Sequence, residues 1–282
     1  MPFLLAGGAE RFGYSAREIA LGCASHSGET MHTEIAAGML EKAGLKESDL
    51  RCGTHLPFDE RRAAEMTRSG EVPTQLHNNC SGKHSAMLAY AKMIGSDIST
   101  YDHFDHPIQV EILKTMAGFS ETPVEEIPLA VDGCASPNFA LSVRAMARSF
   151  VKLVAPPADF GESRKSVCEN IRNAMMKYPE LVGGTGRLDT MLMQAAPREI
   201  VSKIGAEGVW LCGVLPSERW PKGLGIAMKI EDGDDKRARA VISVAILKRL
   251  GIFASETLPG LAPLPITNRR GDVVGRVESA ST

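Results

Sequence analysis

The strongest constraint on the fold lies late in the chain. Two six-residue apolar runs, Val209-Trp-Leu-Cys-Gly-Val214 and Gly225-Ile-Ala-Met-Lys-Ile230, are followed at once by the acidic turn Glu231-Asp-Gly-Asp-Asp235. Short apolar runs bounded by turn residues read as a pair of strands. The sequence ahead of them carries a helical rhythm. Helices are expected over residues 31–43, 59–68 and 81–94, stopped by Gly44, Gly70 and Gly95, because glycine adopts the left-handed backbone that ends a helix at no steric cost. Ser15-Ala-Arg-Glu18 has capping-box spacing and Asp105-His-Pro107 opens a further helix. Residues 127–131 read as a short strand ending at Asp132-Gly-Cys134. Two or three helices follow over residues 138–178, broken at Pro156-Pro157, and one more over 187–196. A helix over 236–250 and a last strand over 273–277 complete the pattern. A helical middle, roughly 81–196, between sheet-forming ends predicts an α+β fold with a sheet part and a helical part.

Several function classes fall away on composition. The formal net charge is −2 and aromatic residues make up 5% of the chain. Neither a basic field for phosphates nor a stacking platform for bases is present, so no nucleic-acid partner is expected. No apolar run reaches the roughly 18–20 residues that span a bilayer, and Met-Pro-Phe-Leu-Leu lacks the positive region of a signal peptide. Six widely spaced cysteines without a Cys-x-x-Cys pair read as reduced thiols of a cytoplasmic protein.

Four spots concentrate reactive residue types. Cys23-Ala-Ser-His-Ser-Gly-Glu29 closes an apolar segment and is read as a strand end. His77-Asn-Asn-Cys-Ser-Gly-Lys-His84 caps a helix whose backbone N–H groups can hold an anion. Asp132-Gly-Cys134 ends a strand, and Lys203-Ile-Gly205 precedes the strand pair. Each has a plain structural alternative: Ser81-Gly82 as a helix cap, Cys80 and Cys134 as small buried hydrophobes, Lys203 as a solvated lysine, Asp132-Gly133 as a turn. Gly82-Lys83 is no phosphate loop, because His77 stands at the first glycine position and His84 at the Ser/Thr position. His103 and His106 read as metal ligands or as helix caps, and residues 231–235 share only acidity with a calcium loop.

In order, Cys-Ala-Ser-His-Ser-Gly-Glu, Asn-Cys-Ser-Gly-Lys-His, Asp-His-Pro-x-Gln, Asp-Gly-Cys, Thr-Met-Leu-Met, Lys-x-Gly-Ala and Lys-Ile-Glu-Asp-Gly fall between residues 23 and 233, and the likeness they carry extends from about residue 3 to about residue 252. This series resembles the Rhizobium-type ("asparaginase II", thermolabile-like) L-asparaginase family. The resemblance implies one domain over residues 1–282, with a sheet flanked by helices and a helical subdomain similar to serine β-lactamases and glutaminases. It implies hydrolysis of L-asparagine to L-aspartate and ammonia by serine–lysine chemistry, in a bacterial, cytoplasmic homodimer. Ser25 and Lys203 match one serine–lysine pair. His26, Asp132 and Gly133 are expected to bind substrate. Cys80, Lys83 and Cys134 match a metal site, usually zinc, and no organic cofactor is implied. Two thiolates favour zinc, whereas oxidation of Cys80 with Cys134 is the competing reading.

One departure from the family stands out. The family's Ser-x-x-Lys pair and its two N-terminal strands have no counterpart here, which reads as an N-terminal truncation that leaves a sheet edge unpaired. Ser149-Phe-Val-Lys152 has the spacing but falls in a helix that periodicity explains. The chain alone is therefore expected to be inactive or nearly so. The rival functions are a glutaminase or another serine hydrolase of the same fold, and an inactive family remnant.

Overall fold

The computed structural model describes residues 1–280. Helices dominate from the start: α1 (Pro2–Leu5), α2 (Gly8–Phe12), α3 (Ala16–Gly22), α4 (Thr30–Lys42), α5 (Glu60–Ser69), α6 (Ser81–Met93) and α7 (Pro107–Ser120). The hairpin β1 (Leu129–Val131) and β2 (Pro137–Phe139) interrupts them, and α8 (Val143–Val154), α9 (Gly161–Lys177), α10 (Pro179–Val182) and α11 (Leu188–Ala195) follow. The strands β3 (Ile200–Ile204), β4 (Val209–Val214) and β5 (Leu224–Lys229) form an antiparallel sheet in that order. Helix α12 (Ala238–Arg249) and the hairpin β6 (Leu264–Thr267) and β7 (Val273–Val277) close the chain. The mixture of helix with small antiparallel sheets agrees with the α+β expectation.

The helix boundaries have local causes. The Ser15 hydroxyl accepts from the Arg17 N–H, and the Glu18 carboxylate accepts from the Ser15 N–H at 2.9 Å. That box opens α3, and such a cap contributes about 1 kcal/mol. Gly70, at φ 72°, ends α5. At the start of α7, His106 Nδ1 accepts from the Ile108 N–H at 3.3 Å, so this histidine is a cap as one of its two readings held.

Apolar side chains gather into two adjoining cores. One surrounds the three-stranded sheet, with Ile200, Val201, Trp210, Leu192, Met193, Val244 and Leu247 buried together. The other lies among α3, α4, α6 and α7, around Leu21, Met39, Leu88, Tyr101 and Ile108. Ile19 and Ile35 pack against both. Each such large apolar side chain taken out of water stabilises the fold by roughly 1.5–3 kcal/mol.

Three expectations need correction. Among the described residues no strand precedes Leu129, so the amino-terminal end is helical and not sheet-forming, and helix is not confined to the middle. The apolar segment before Ser25 is the helix α3; the box at Ser15 and Glu18 decides it. Lys203 lies inside a strand, β3, and not before the sheet: Ile200, Val201, Ser202 and Ile204 are all buried, which erases the alternation that reveals a half-exposed strand. No helix among the described residues is long and apolar enough to cross a membrane.

Candidate functional site

The site begins with a close helix contact. A Cβ on Gly82 would lie 2.4 Å from the Leu21 carbonyl oxygen, so only glycine lets the start of α6 pass against the end of α3. That contact brings Cys23, Ser25, Asn79, Cys80 and Lys83 to one cavity of about 740 Å³, whose lining is completed by Asp132–Cys134, Arg187, Lys203 and Arg239 among others. Ser25, Lys203, Asp132, Gly133, Cys80, Lys83 and Cys134 therefore share one cavity, although they span most of the chain.

Ser25 stands on the loop after α3. Its N–H donates to the Val182 carbonyl at 3.0 Å, and its Oγ accepts from Asn79 Nδ2 at 2.9 Å. Asn79 is itself fixed, because its backbone N–H donates to His55 Nε2 at 3.1 Å while His55 Nδ1 bonds the Leu56 carbonyl at 2.6 Å. The loop is stapled to residues 183–187: the Glu29 carboxylate accepts from Ser27 Oγ at 2.6 Å and from the Thr185 N–H and hydroxyl, each at 2.7 Å. Burial pushes the Glu29 carboxyl up, but these hydrogen bonds outweigh it and hold the group below its ordinary value.

Lys203 donates from Nζ to the Ile204 carbonyl at 2.6 Å and makes no hydrogen bond to Ser25. Burial holds its ammonium below the ordinary lysine value, opposed by Asp189 and Cys80. Asp189, fully buried, accepts from Ser202 Oγ at 2.7 Å and from the Ile204 N–H at 2.9 Å, and so fixes the strand that carries Lys203. Arg187 caps α11 and stacks 5.4 Å from the Phe58 ring. Burial lowers its guanidinium from the ordinary arginine value.

The opposite wall is a thiol cluster. Lys83 Nζ lies 3.2 Å from Cys134 Sγ and 3.5 Å from an Asp132 oxygen. Asp132 also accepts from the Cys134 N–H at 2.9 Å. The Tyr101 hydroxyl accepts from the Arg51 N–H, so its own proton goes to His84 Nδ1 at 2.6 Å, and His84 Nε2 donates to Cys134 Sγ at 3.2 Å. A hydrogen bond from the Cys134 thiol, with the Lys83 charge, holds Cys80 down at about 7 against burial. The same hydrogen bond and burial push Cys134 up to about 12. Burial pulls Lys83 down, but Cys80, Cys134 and Asp132 together hold it above the ordinary lysine value. All six cysteines are free thiols.

Among the described residues no three His, Cys, Asp or Glu side chains are grouped to hold a metal ion, so the expected zinc set depends on Lys83 as its third donor. Two sulfurs suit zinc in kind. The lysine amine binds only after losing the proton that the cluster now keeps on it.

Not every expected residue reaches the cavity. His26, expected to touch substrate, is fully buried and absent from the lining. Its Nε2 bonds Ser81 Oγ at 2.9 Å, its Nδ1 accepts from the Gly28 N–H, and its ring stacks on His32 at 4.7 Å. It holds the loop's shape. In Ser149-Phe-Val-Lys152, Lys152 pairs with Glu121 and serves the α7–α8 junction. Sequence reading passed over Asn79, His55, Arg187, Asp235 and Arg239. Asn79 sat inside a recognised motif, and the run Gly183-Gly-Thr-Gly186 before α11 was the overlooked sign of a built loop ahead of Arg187.

A search of curated proteins returned no match to the chain. The family model described as L-asparaginase II matches residues 1–279. With a model spanning nearly its whole length, the chain belongs to the L-asparaginase II family.

Proposed function

We propose that the cavity binds L-asparagine and that Ser25 and Lys203 carry the hydrolysis of its side-chain amide. The carrying observation is that both residues face one cavity with Lys83, Arg187 and Arg239 and with Asp132 and Asp235, a lining with both signs of charge suited to a zwitterionic amino acid. Ser25 Oγ, oriented by Asn79, is the nucleophile for the amide carbonyl. Lys203, lowered by burial, is the group in the cavity best suited to accept the hydroxyl proton and return it to the departing ammonia. It must first leave the Ile204 carbonyl. Asp132 and Asp235 offer carboxylates for the substrate's ammonium group. Zinc, if held by Cys80, Lys83 and Cys134, would supply a Lewis acid to the cavity. Free thiols throughout suit a reducing, cytoplasmic setting.

The resting geometry leaves Ser25 without a base in hydrogen-bond reach. General-base catalysis supplies about 10²–10⁴-fold, and enzymes commonly turn over at about 10 s⁻¹, so this chain is expected near 10⁻³–10⁻¹ s⁻¹. The test is ammonia release under single-turnover conditions from L-asparagine and L-glutamine, for the parent chain and Ser25→Ala. Slow release from asparagine that Ser25→Ala removes supports the reading. Equal release by both proteins refutes it. A preference for glutamine moves the substrate by one methylene, a discrimination of about 1–3 kcal/mol.

A further inference from the structure

Arg187 is unlike the other cations of the cavity. Arg239 donates to the Gly205 carbonyl at 2.7 Å and pairs with Asp235 at 2.6 Å. Lys83 is held by Cys134 and Asp132. The Arg187 guanidinium makes no hydrogen bond or ion pair with any of the described residues. It is half-buried, faces the cavity and rests on one aromatic ring. A desolvated guanidinium without a partner costs free energy in the empty protein, and its planar fork of donors matches one kind of ligand group best, a carboxylate taken side-on.

The backbone around it fixes where that ligand would sit. Arg187 follows residues 182–186, and these are tied to the Ser25 loop by three hydrogen bonds. The Ser25 N–H bonds the Val182 carbonyl, Glu29 clasps Thr185 through its N–H and its hydroxyl, and Ser27 braces Glu29. Gly184 sits at φ 114° with the place of a Cβ only 1.8 Å from Ser27 Oγ, so the two loops touch without room for a side chain. The guanidinium and the Ser25 hydroxyl are thus held by one stapled pair of loops. An amino acid whose carboxylate is gripped by the first is presented to the second at a set separation, which is how positioning lowers the barrier of a reaction between bound groups.

We infer that Arg187 is the anchor for the α-carboxylate of the amino-acid substrate, and that the staple between Glu29 and Thr185 sets its register to Ser25. The inference rests on the proposed asparagine site. It makes the free carboxylate, and not only the side-chain amide, a requirement for binding, so asparagine inside a peptide or blocked at its carboxyl end is excluded.

The test is calorimetric titration of the full chain with L-asparagine, L-glutamine and L-asparaginamide, in which the carboxylate is replaced by an uncharged amide. The parent chain should bind L-asparagine at least about a hundredfold more tightly than the amide, the scale expected when one partner of a buried charge pair is removed. Arg187→Gln should weaken L-asparagine to the level of the amide and leave the amide unchanged, and Arg187→Lys should recover part of the loss. Equal melting temperatures of parent and Arg187→Gln show that folding is intact. Unaltered L-asparagine binding in a folded Arg187→Gln overturns the inference and leaves the asparagine reading standing. Arg187-dependent binding of L-glutamine but not L-asparagine supports the anchor and overturns the asparagine reading. Binding of no amino acid overturns both.

Discussion

The two walls of the cavity treat their polar groups in opposite ways. On the thiol wall every charge has a partner: Lys83 with Cys134 and Asp132, Cys134 with His84, and His84 with Tyr101. On the serine wall the groups are under-employed. Ser25 only accepts from Asn79, Lys203 reaches no further than its neighbour's carbonyl, and the Arg187 guanidinium has no polar partner among the described residues. A satisfied cluster stabilises the fold. Unsatisfied buried cations cost stability, and a ligand that supplies their partners recovers it. The contrast is the one expected if the proposed substrate completes the partners missing on the serine wall.

Five perturbations test that contrast, the largest first. His84→Ala should destabilise the chain by about 3 kcal/mol, because it leaves a cavity, strips the Tyr101 hydroxyl proton of its acceptor and removes one donor from Cys134. Urea unfolding reads it, and a loss below about 0.5 kcal/mol, the scale of an ordinary surface substitution, would show that the thiol wall is not structural. Gly184→Ala should cost nearly as much, on the order of 3 kcal/mol, from the overlap with Ser27 and the strained backbone. Gly186→Ala, at φ 70° with open space around it, should cost only about 1 kcal/mol. Equal losses at the two glycines would mean that the staple between the loops is absent.

Lys203→Met runs in the opposite direction, raising stability by about 1 kcal/mol near neutral pH, since an apolar side chain of similar length replaces a desolvated cation. Because the folded lysine sits below its ordinary value of 10.5, the unfolded chain holds more protons and the parent gains stability as pH rises. The advantage of the methionine should therefore shrink as pH climbs from the lowered folded value toward 10.5. A constant difference across that range would refute the desolvated lysine. The smallest effect is chemical. Alkylation of Cys80 should reach half its maximal rate near pH 7, about 2 units below the ordinary thiol value of 9.0. A midpoint at 9 would show that Cys134 and Lys83 do not support the thiolate.

Legibility in the sequence followed the kind of signal each residue leaves. Helices with a cap at one end and a glycine at the other, such as α5 between Asp59 and Gly70, were readable almost to the residue, because both signals are local. Strand β3 was not, because burial on both faces removes its alternation and its pairing partner lies beyond a turn. The same split runs through the site. Ser25, Cys80, Lys83 and Cys134 stood in dense motifs, and the fold gathers them. Arg187 and Asp235 are single charges on polar segments, and only the contact between distant loops gives them a role. A histidine beside a reactive serine has the look of chemistry, whereas the two ring nitrogens of His26 are bonded to Ser81 and Gly28 away from the cavity.

The most direct test of the account is the thermal shift that L-asparagine produces in the parent chain and in Arg187→Gln. A ligand that binds only the folded state raises its melting temperature by an amount that grows with the logarithm of its concentration over the dissociation constant. The account predicts that Arg187→Gln melts no lower than the parent without ligand, and that an L-asparagine concentration that raises the parent leaves the variant unchanged. An equal ligand-induced rise in both proteins, or none in the parent, would contradict the assignment of substrate to the serine wall.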